Sequence, residues 1–341
     1  MDVFKVVLDN QFDFLAYISF TPRESHMLQN IKEKISRGLA YRKDLPYAFR
    51  ALVYAIFFSK KTFRLGANNT ALKKLYDDGM VLFPGQILPS ATVANLKDEL
   101  EGMHCYTKLD ANNKPLKKVY EPKDLIVSPE FMSLALRDDV LQLAEDYFHC
   151  QPKIAYVAAW TVYADSEKDV GEMIFHMDHH GHKFLKLFYY LSDVEIGGGH
   201  HEFVQGSHEG PRHRKDLVEM KTLDPVLYKD LMIKKRLKGQ FKLDNSMIVR
   251  FFKNRVLKVS GAKGMSFIED TYGLHRGTPI KNDIPRTIFQ VLYVPEVLEK
   301  DQMEKVDVDP HFLSLFRSGK FAPKYYTSVI DNIISENKTV R

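Results

Sequence analysis

The chain predicts an α+β protein, a double-stranded β-helix (jelly roll) core with flanking helices and a helical N-terminal extension. Three observations lead there. Helical periodicity dominates the first half, short apolar runs take over from residue 153, and glycine clusters separate those runs.

Taken in order, residues 1–70 read as a largely helical extension, from segments such as His26–Leu39 and Pro46–Phe58. The most apolar run, Ala51–Ser59 (ALVYAIFFS), is about half of a bilayer span, which leaves a buried helix or an interfacial one. Met80–Phe83 reads as a strand ended by Pro84-Gly85. After Pro89-Ser90, Val93, Leu96, Leu100 and Met103 recur at the helical period. Ser128-Pro129-Glu130 gives an N-cap with proline at the first helical position, opening a helix to about Phe148.

The strand-like runs are Ala155–Tyr163, Phe184–Leu191, Met247–Phe252, Met265–Ile268 and Thr287–Val294. Gly197-Gly198-Gly199, Gly206-Ser207, Gly261 with Gly264, and Gly273 break them. Short strands at this spacing indicate a sandwich or barrel. Two sheets of about eight strands make a jelly roll. The expected layout is the extension at 1–70, the jelly-roll domain at 71–300 and a helical tail at 301–341 packed on the core. A basic insertion at about 209–245 interrupts the strands. Residues 211–258 hold 14 Lys+Arg against 5 Asp+Glu, a local +9. Two readings stand: a solvated face, or a basic lid over an acidic substrate or cosubstrate.

Composition narrows the functional classes. The 341 residues are 45% hydrophobic, enough for a sizeable core, and 49 basic against 44 acidic side chains leave +5, too weak to argue for nucleic acid. Two cysteines, Cys105 and Cys150, exclude a disulfide framework and a zinc–thiolate site. The opening Met1–Lys5 lacks a basic region followed by a long apolar stretch, so no secretory leader is expected. The expectation is a cytoplasmic protein without stable membrane insertion.

The chemistry centres on Phe175-His176-Met177-Asp178. In extended backbone, residues i and i+2 point to one side, so His176 and Asp178 can reach one ion from a single short segment. They supply two corners of a 2-His-1-carboxylate triad, whose opposite face stays open. A distant histidine must complete it, and His275 is the candidate. Arg286, eleven residues further on, begins an apolar run where a guanidinium can grip a carboxylate bidentately. It would anchor a dicarboxylate that chelates the iron at its other end. A lone His-x-Asp is near the chance rate, so the weight lies on His275 with Arg286.

With these residues in place, Gly171–Val294 resembles the phytanoyl-CoA dioxygenase family of Fe(II)- and 2-oxoglutarate-dependent oxygenases. The matching points are His176-x-Asp178, Leu187–Val194, Gly199 leading to Gly206-Ser207-His208, His275-Arg276-Gly277-x-Pro279 and Arg286. Leu75–Gly85 is similar to the family's opening strand. Phe175 and Gln205 depart from the family pattern without touching the ligand set. The resemblance implies iron on His176, Asp178 and His275, and 2-oxoglutarate on Arg286 with help from the Thr287 hydroxyl and from Lys186. It implies oxidation of a C–H bond with O2, releasing succinate and CO2, by hydroxylation or by desaturation or cyclisation. Halogenation is disfavoured, because halogenases of this class lack the carboxylate that Asp178 provides. The substrate is expected to be a small anionic metabolite bearing a carboxylate, phosphate or CoA ester, a preference that rests on the insertion's charge.

Other readings remain beside this one. His176 with His180 has helical spacing and suggests a zinc site, against which Gly181 and the strand-like neighbours argue. A silent jelly-roll binding module would have lost a ligand. A cupin-type metalloenzyme that does not use 2-oxoglutarate would leave Arg286 without a role. Of His200 and His201, on one strand, only one can face a cavity, and His208 is expected to order a loop near the site's mouth.

Overall fold

The computed structural model describes residues 70–83, 87–110, 112–163, 173–178, 180, 183–208, 211–236, 241–296, 306–308, 314 and 333–336. The chain divides into two units, Met1–Phe63 and Arg64–Arg341, and the described residues all belong to the second. The expected helical extension, with the apolar run Ala51–Ser59, therefore lies outside them.

Helix α1 (Thr70–Asp78) leads through Gly79 into strand β1 (Met80–Leu82). Gly79 sits at φ +84°, and a Cβ there would lie 2.6 Å from His208 Nδ1, so only glycine turns this corner unstrained. Next come α2 (Ser90–Gly102), the hairpin β2 (Cys105–Leu109) and β3 (Pro115–Tyr120), and helices α3 (Pro122–Val127), α4 (Pro129–Ala135) and α5 (Asp138–Phe148). The helix expected from residue 128 to 148 is thus two helices. Ser128 caps α4 by accepting from the Phe131 amide, but Arg137 is extended and α5 restarts beyond it.

The remaining strands are β4 (Pro152–Val162), β5 (Phe175–His176), β6 (Leu185–Tyr190), β7 (His201–Val204), β8 (Lys242–Leu243), β9 (Val256–Val259), β10 (Ser266–Glu269), β11 (His275–Gly277) and β12 (Arg286–Pro295). The insertion contributes α6 (Pro211–Leu223), α7 (Pro225–Arg236) and α8 (Asn245–Phe252). The last of these corrects the strand expected at Met247–Phe252. Asp244 accepts from the Met247 amide and caps a helix, whose buried Ile248, Phe251 and Phe252 recur at helical spacing. Most of the expected helical tail lies outside the described residues; within it Ser314 is helical, and two short parallel strands form, β13 (Val306–Val308) and β14 (Ile334–Glu336).

Two antiparallel sheets result, with orders β1-β10-β6-β12-β4-β3-β2 and β8-β5-β11-β7-β9. This architecture is consistent with a jelly roll. Phe188 and Tyr190 of β6, Phe267 of β10 and Ile288 of β12 meet Phe203 of β7 and Val259 of β9 in one buried cluster, so the sheets lie face to face. Alternation along each strand does the rest. The opposite residues of the larger sheet hold helices: the Tyr293 hydroxyl donates to the Ala135 carbonyl at 2.7 Å, and Phe289 packs on Phe131 at 4.9 Å.

Strand β4 departs from full burial in an informative way. Its outward Ile154, Val157 and Ala159 are buried, whereas Tyr156, Ala158, Trp160 and Val162 are half-exposed. Register pairs those four with Leu292, Gln290, Ile288 and Arg286, placing them on the face turned to the second sheet. The inner face of the larger sheet is therefore only partly covered along β4. No helix of the described residues is long and apolar enough to cross a membrane.

Candidate metal centre

The centre is assembled by pairing two very short strands. His176 of β5 is the direct register partner of His275 of β11, and their rings lie 4.3 Å apart. Asp178 follows two residues after His176, its amide donating to the Thr271 carbonyl at 2.9 Å. The intervening Phe175 and Met177 point the other way, into a buried cluster with Met220, Leu231 and Ile248 of the insertion. Apolar residues anchor one face of the segment, and the polar ones are driven to the face between the sheets.

The donor atoms converge. His275 Nε2 lies 3.4 Å from Asp178 Oδ2, and His176 Nε2 lies 3.8 Å from Oδ1. All three ligand atoms fall within 4.8 Å of one another, the one group of three or more such donors among the described residues. Each imidazole is preset for a cation. His176 Nδ1 lies 2.8 Å from the Ile174 carbonyl and His275 Nδ1 2.9 Å from that of Gly273. A carbonyl accepts only, so Nδ1 carries the proton and Nε2 keeps its lone pair for the ion. The residues present fit a divalent metal.

Electrostatics couple the carboxylate to its cationic neighbours. Burial opposes ionisation of Asp178, but Lys186 and His275 outweigh it and hold the carboxyl well below its ordinary range. Burial likewise disfavours charge on His275, and the facing Asp178 overrides it, raising the imidazole.

Arg286 opens β12 and is buried, its Nη1 donating to the Gly199 carbonyl. Its guanidinium lies against Gly277, where a Cβ would come within 3.1 Å of Nη2. Gly277 stands two residues beyond His275 on β11, on the same face. The arginine and the strand that bears His275 are therefore neighbours.

The two remaining expected cosubstrate residues are placed differently. Thr287 alternates with Arg286, so its side chain is on the opposite face. Its hydroxyl lies 3.0 Å from that of Thr161, on the face opposite Arg286. Lys186 does face the space between the sheets, but its Nζ donates to Asp178 Oδ2 at 2.7 Å. It is a partner of the metal-ligand carboxylate.

The insertion is corrected too. Its described apolar residues pack on the outer face of the second sheet, away from the triad, so α6–α8 form no lid over the centre. His180 stands 4.0 Å from Asp178 Oδ2 on a non-helical segment, not on a helix with His176. His179 and His182 lie outside the described residues. His201 faces inward while His200 turns out to Thr278 and Glu202. His208 is buried, with Nε2 3.1 Å from the Tyr76 carbonyl, tying its loop to α1.

Sequence reasoning missed two arrangements. His201 Nε2 meets Glu269 Oε2 at 2.9 Å, both buried, and the His201 ring stacks on His275 at 5.7 Å. Gln290 donates to the Tyr156 hydroxyl at 2.8 Å. Inward alternation on β10 and β12 was the available signal, since Glu269 and Gln290 are polar residues in otherwise apolar runs.

No family model matches the chain, and no curated protein matches it. Among solved structures, it is similar to the epimerase SnoN in complex with Fe3+, alpha ketoglutarate and nogalamycin RO, at 16% identity, over 66% of this chain and 82% of that one, with TM-score 0.47. It is similar to the non-heme alpha ketoglutarate dependent carbocyclase SnoK from nogalamycin biosynthesis at 17%, over 66% and 83%, with TM-score 0.46. HygX from Streptomyces hygroscopicus, with nickel and 2-oxoglutarate bound, matches at 19%, over 70% and 89%, with TM-score 0.44.

Proposed function

We propose that the chain is a non-haem Fe(II)- and 2-oxoglutarate-dependent dioxygenase that oxidises a C–H bond of a small molecule. One observation carries the reading. Two histidines and a carboxylate bring their ligand atoms within 4.8 Å of one another, and a buried arginine lies beside the strand that bears the second histidine.

In this reading His176, Asp178 and His275 hold the metal on one side and leave the other open. Arg286 receives the far carboxylate of 2-oxoglutarate, whose keto acid end points at the triad. Iron, when bound, couples oxidative decarboxylation of 2-oxoglutarate by O2, giving succinate and CO2, to oxidation of the substrate. The chain's own part is to position the reactants and keep the site dry, through the apolar walls of Phe188, Phe267 and Ile288. Hydroxylation, desaturation and oxidative cyclisation are all open to such a site, and Asp178 argues against halogenation.

The eight strands β4–β7 and β9–β12, ordered β10-β6-β12-β4 and β5-β11-β7-β9, form the double-stranded β-helix of this reading. The motif order from Leu75 to Val294 supports a place in the phytanoyl-CoA dioxygenase family, with the domain spanning about 71–300. The substrate enters along the half-exposed row of β4. An anionic metabolite suits that row, because Lys117 lies over the Trp160 ring at 4.7 Å beside it. This local cation replaces the insertion's charge as the argument for an acidic substrate. A cytoplasmic setting accords with two cysteines that form no disulfide.

The test is anaerobic titration of the protein with Fe(II) and 2-oxoglutarate. A weak visible charge-transfer band is expected for the wild type and not for Asp178→Ala or His275→Ala. A wild type with neither band nor 2-oxoglutarate binding would sink the proposal.

A further inference from the structure

Lys186 is a buried cation on the interior strand β6 of the larger sheet, an expensive placement unless the charge is matched. Its Nζ donates to Asp178 Oδ2 at 2.7 Å and lies 6.0 Å from the centre of the Tyr156 ring, whose hydroxyl accepts from Gln290 Nε2 at 2.8 Å. Register explains the set. Tyr156, Leu292, Lys186 and Glu269 form one row across β4, β12, β6 and β10 on the face turned to the metal centre. Glu269, the acidic neighbour that might otherwise take the lysine, has its Oε2 on His201. The lysine thus crosses from one sheet to the ligand carried by the other, and it occupies one of that ligand's two oxygens. Oδ1 faces His176 Nε2 at 3.8 Å, and Oδ2 also lies 3.4 Å from His275 Nε2.

We propose that Lys186, set by Tyr156 and Gln290, is a positioning residue that pins Asp178 through Oδ2, so that the carboxylate is held against turning and offers the metal one oxygen and not both. The inference rests on the metal-centre reading above. A carboxylate free to turn can bind through both oxygens and take up a coordination position. Pinned, it takes one and leaves the facing side to the bidentate keto acid and to O2. Tyr156 and Gln290 leave the ammonium few other places to go.

The experiment is titration of the apo protein with Co(II), read by affinity and by the visible d–d spectrum, for wild type, Lys186→Met, Lys186→Arg and Tyr156→Phe. Loss of a group that orients a ligand costs roughly ten- to a hundredfold in metal affinity. That loss is expected for Lys186→Met, with an altered Co(II) spectrum as Asp178 turns. Lys186→Arg should recover most of the affinity and the wild-type spectrum, and Tyr156→Phe should show a smaller loss in the same direction. Equal or tighter Co(II) binding by Lys186→Met, with an unchanged spectrum, overturns the proposal and makes the lysine a mere occupant of the empty site. If Lys186→Met does not fold, Tyr156→Phe decides, and wild-type affinity and spectrum in that variant overturn it. A wild type that binds no Co(II) at all is a different outcome, which removes the metal-centre reading itself.

Discussion

Gly277 lies on the same face of β11 as His275, and the guanidinium of Arg286 occupies the space where its side chain would stand. The relationship joins the proposed metal ligand and the proposed cosubstrate anchor through three residues of one strand. Valine suits a strand, so Gly277→Val should fold while displacing the arginine. A hydrogen bond to a charged group is worth about 1.5–3 kcal/mol, so the KM for 2-oxoglutarate should rise roughly tenfold or more. Metal affinity, measured separately with Co(II), should hold. A variant with wild-type KM would detach Arg286 from the cosubstrate.

Thr287 provides the contrasting case. Its hydroxyl pairs with Thr161 on the buried outer face. Thr287→Val should lower unfolding stability by about 1 kcal/mol in urea titrations, the ordinary worth of such a bond. Binding of 2-oxoglutarate, followed by calorimetry, should not change. A large loss of cosubstrate affinity would return Thr287 to the site.

Glu202 gives the fold an acid limit. Burial would raise its carboxyl, but His200 and Arg276 outweigh it and bring it from 4.5 down to about 2. A depressed carboxyl contributes stability that is fully present above pH 4.5 and lost as the pH falls through about 2. Glu202→Gln should therefore melt below the wild type at pH 6–7, and the gap should narrow as the pH falls below about 4.5. Parallel melting curves across that window would show that the network adds nothing.

Phe267 tests the core that holds the sheets together. It is fully buried, stacked on Phe188 at 4.9 Å and set 5.3 Å from His201. Phe267→Ala should cost about 3–5 kcal/mol by denaturant unfolding. Because His201 stacks in turn on His275, Co(II) binding should weaken as well. Full stability in the variant would place the core elsewhere.

Much of the architecture was legible because strands announce themselves through β-branched and aromatic runs between glycines. Phe184–Leu191, Met265–Ile268 and Thr287–Val294 each became strands within a residue or two. Met247–Phe252 misled because a short apolar run has no visible period until its cap is noticed, and Asp244 supplied that cap. The strands β5 and β11 span only two and three residues, too short for any periodic signal, so His176 and His275 were found by chemistry and resemblance.

Sequence alone singled out the candidate residues: His176 and Asp178, two positions apart and so on one face by alternation, with His275 and Arg286 downstream in order. Only the tertiary structure decided what faces what. It set His176 opposite His275, turned Thr287 to the helices, gave Lys186 to Asp178 and laid the basic insertion behind the second sheet. The physical reason is that alternation settles which residues share a face, but strand pairing between distant segments settles which face meets which. That pairing depends on burial summed over both sheets, which no local stretch of sequence contains.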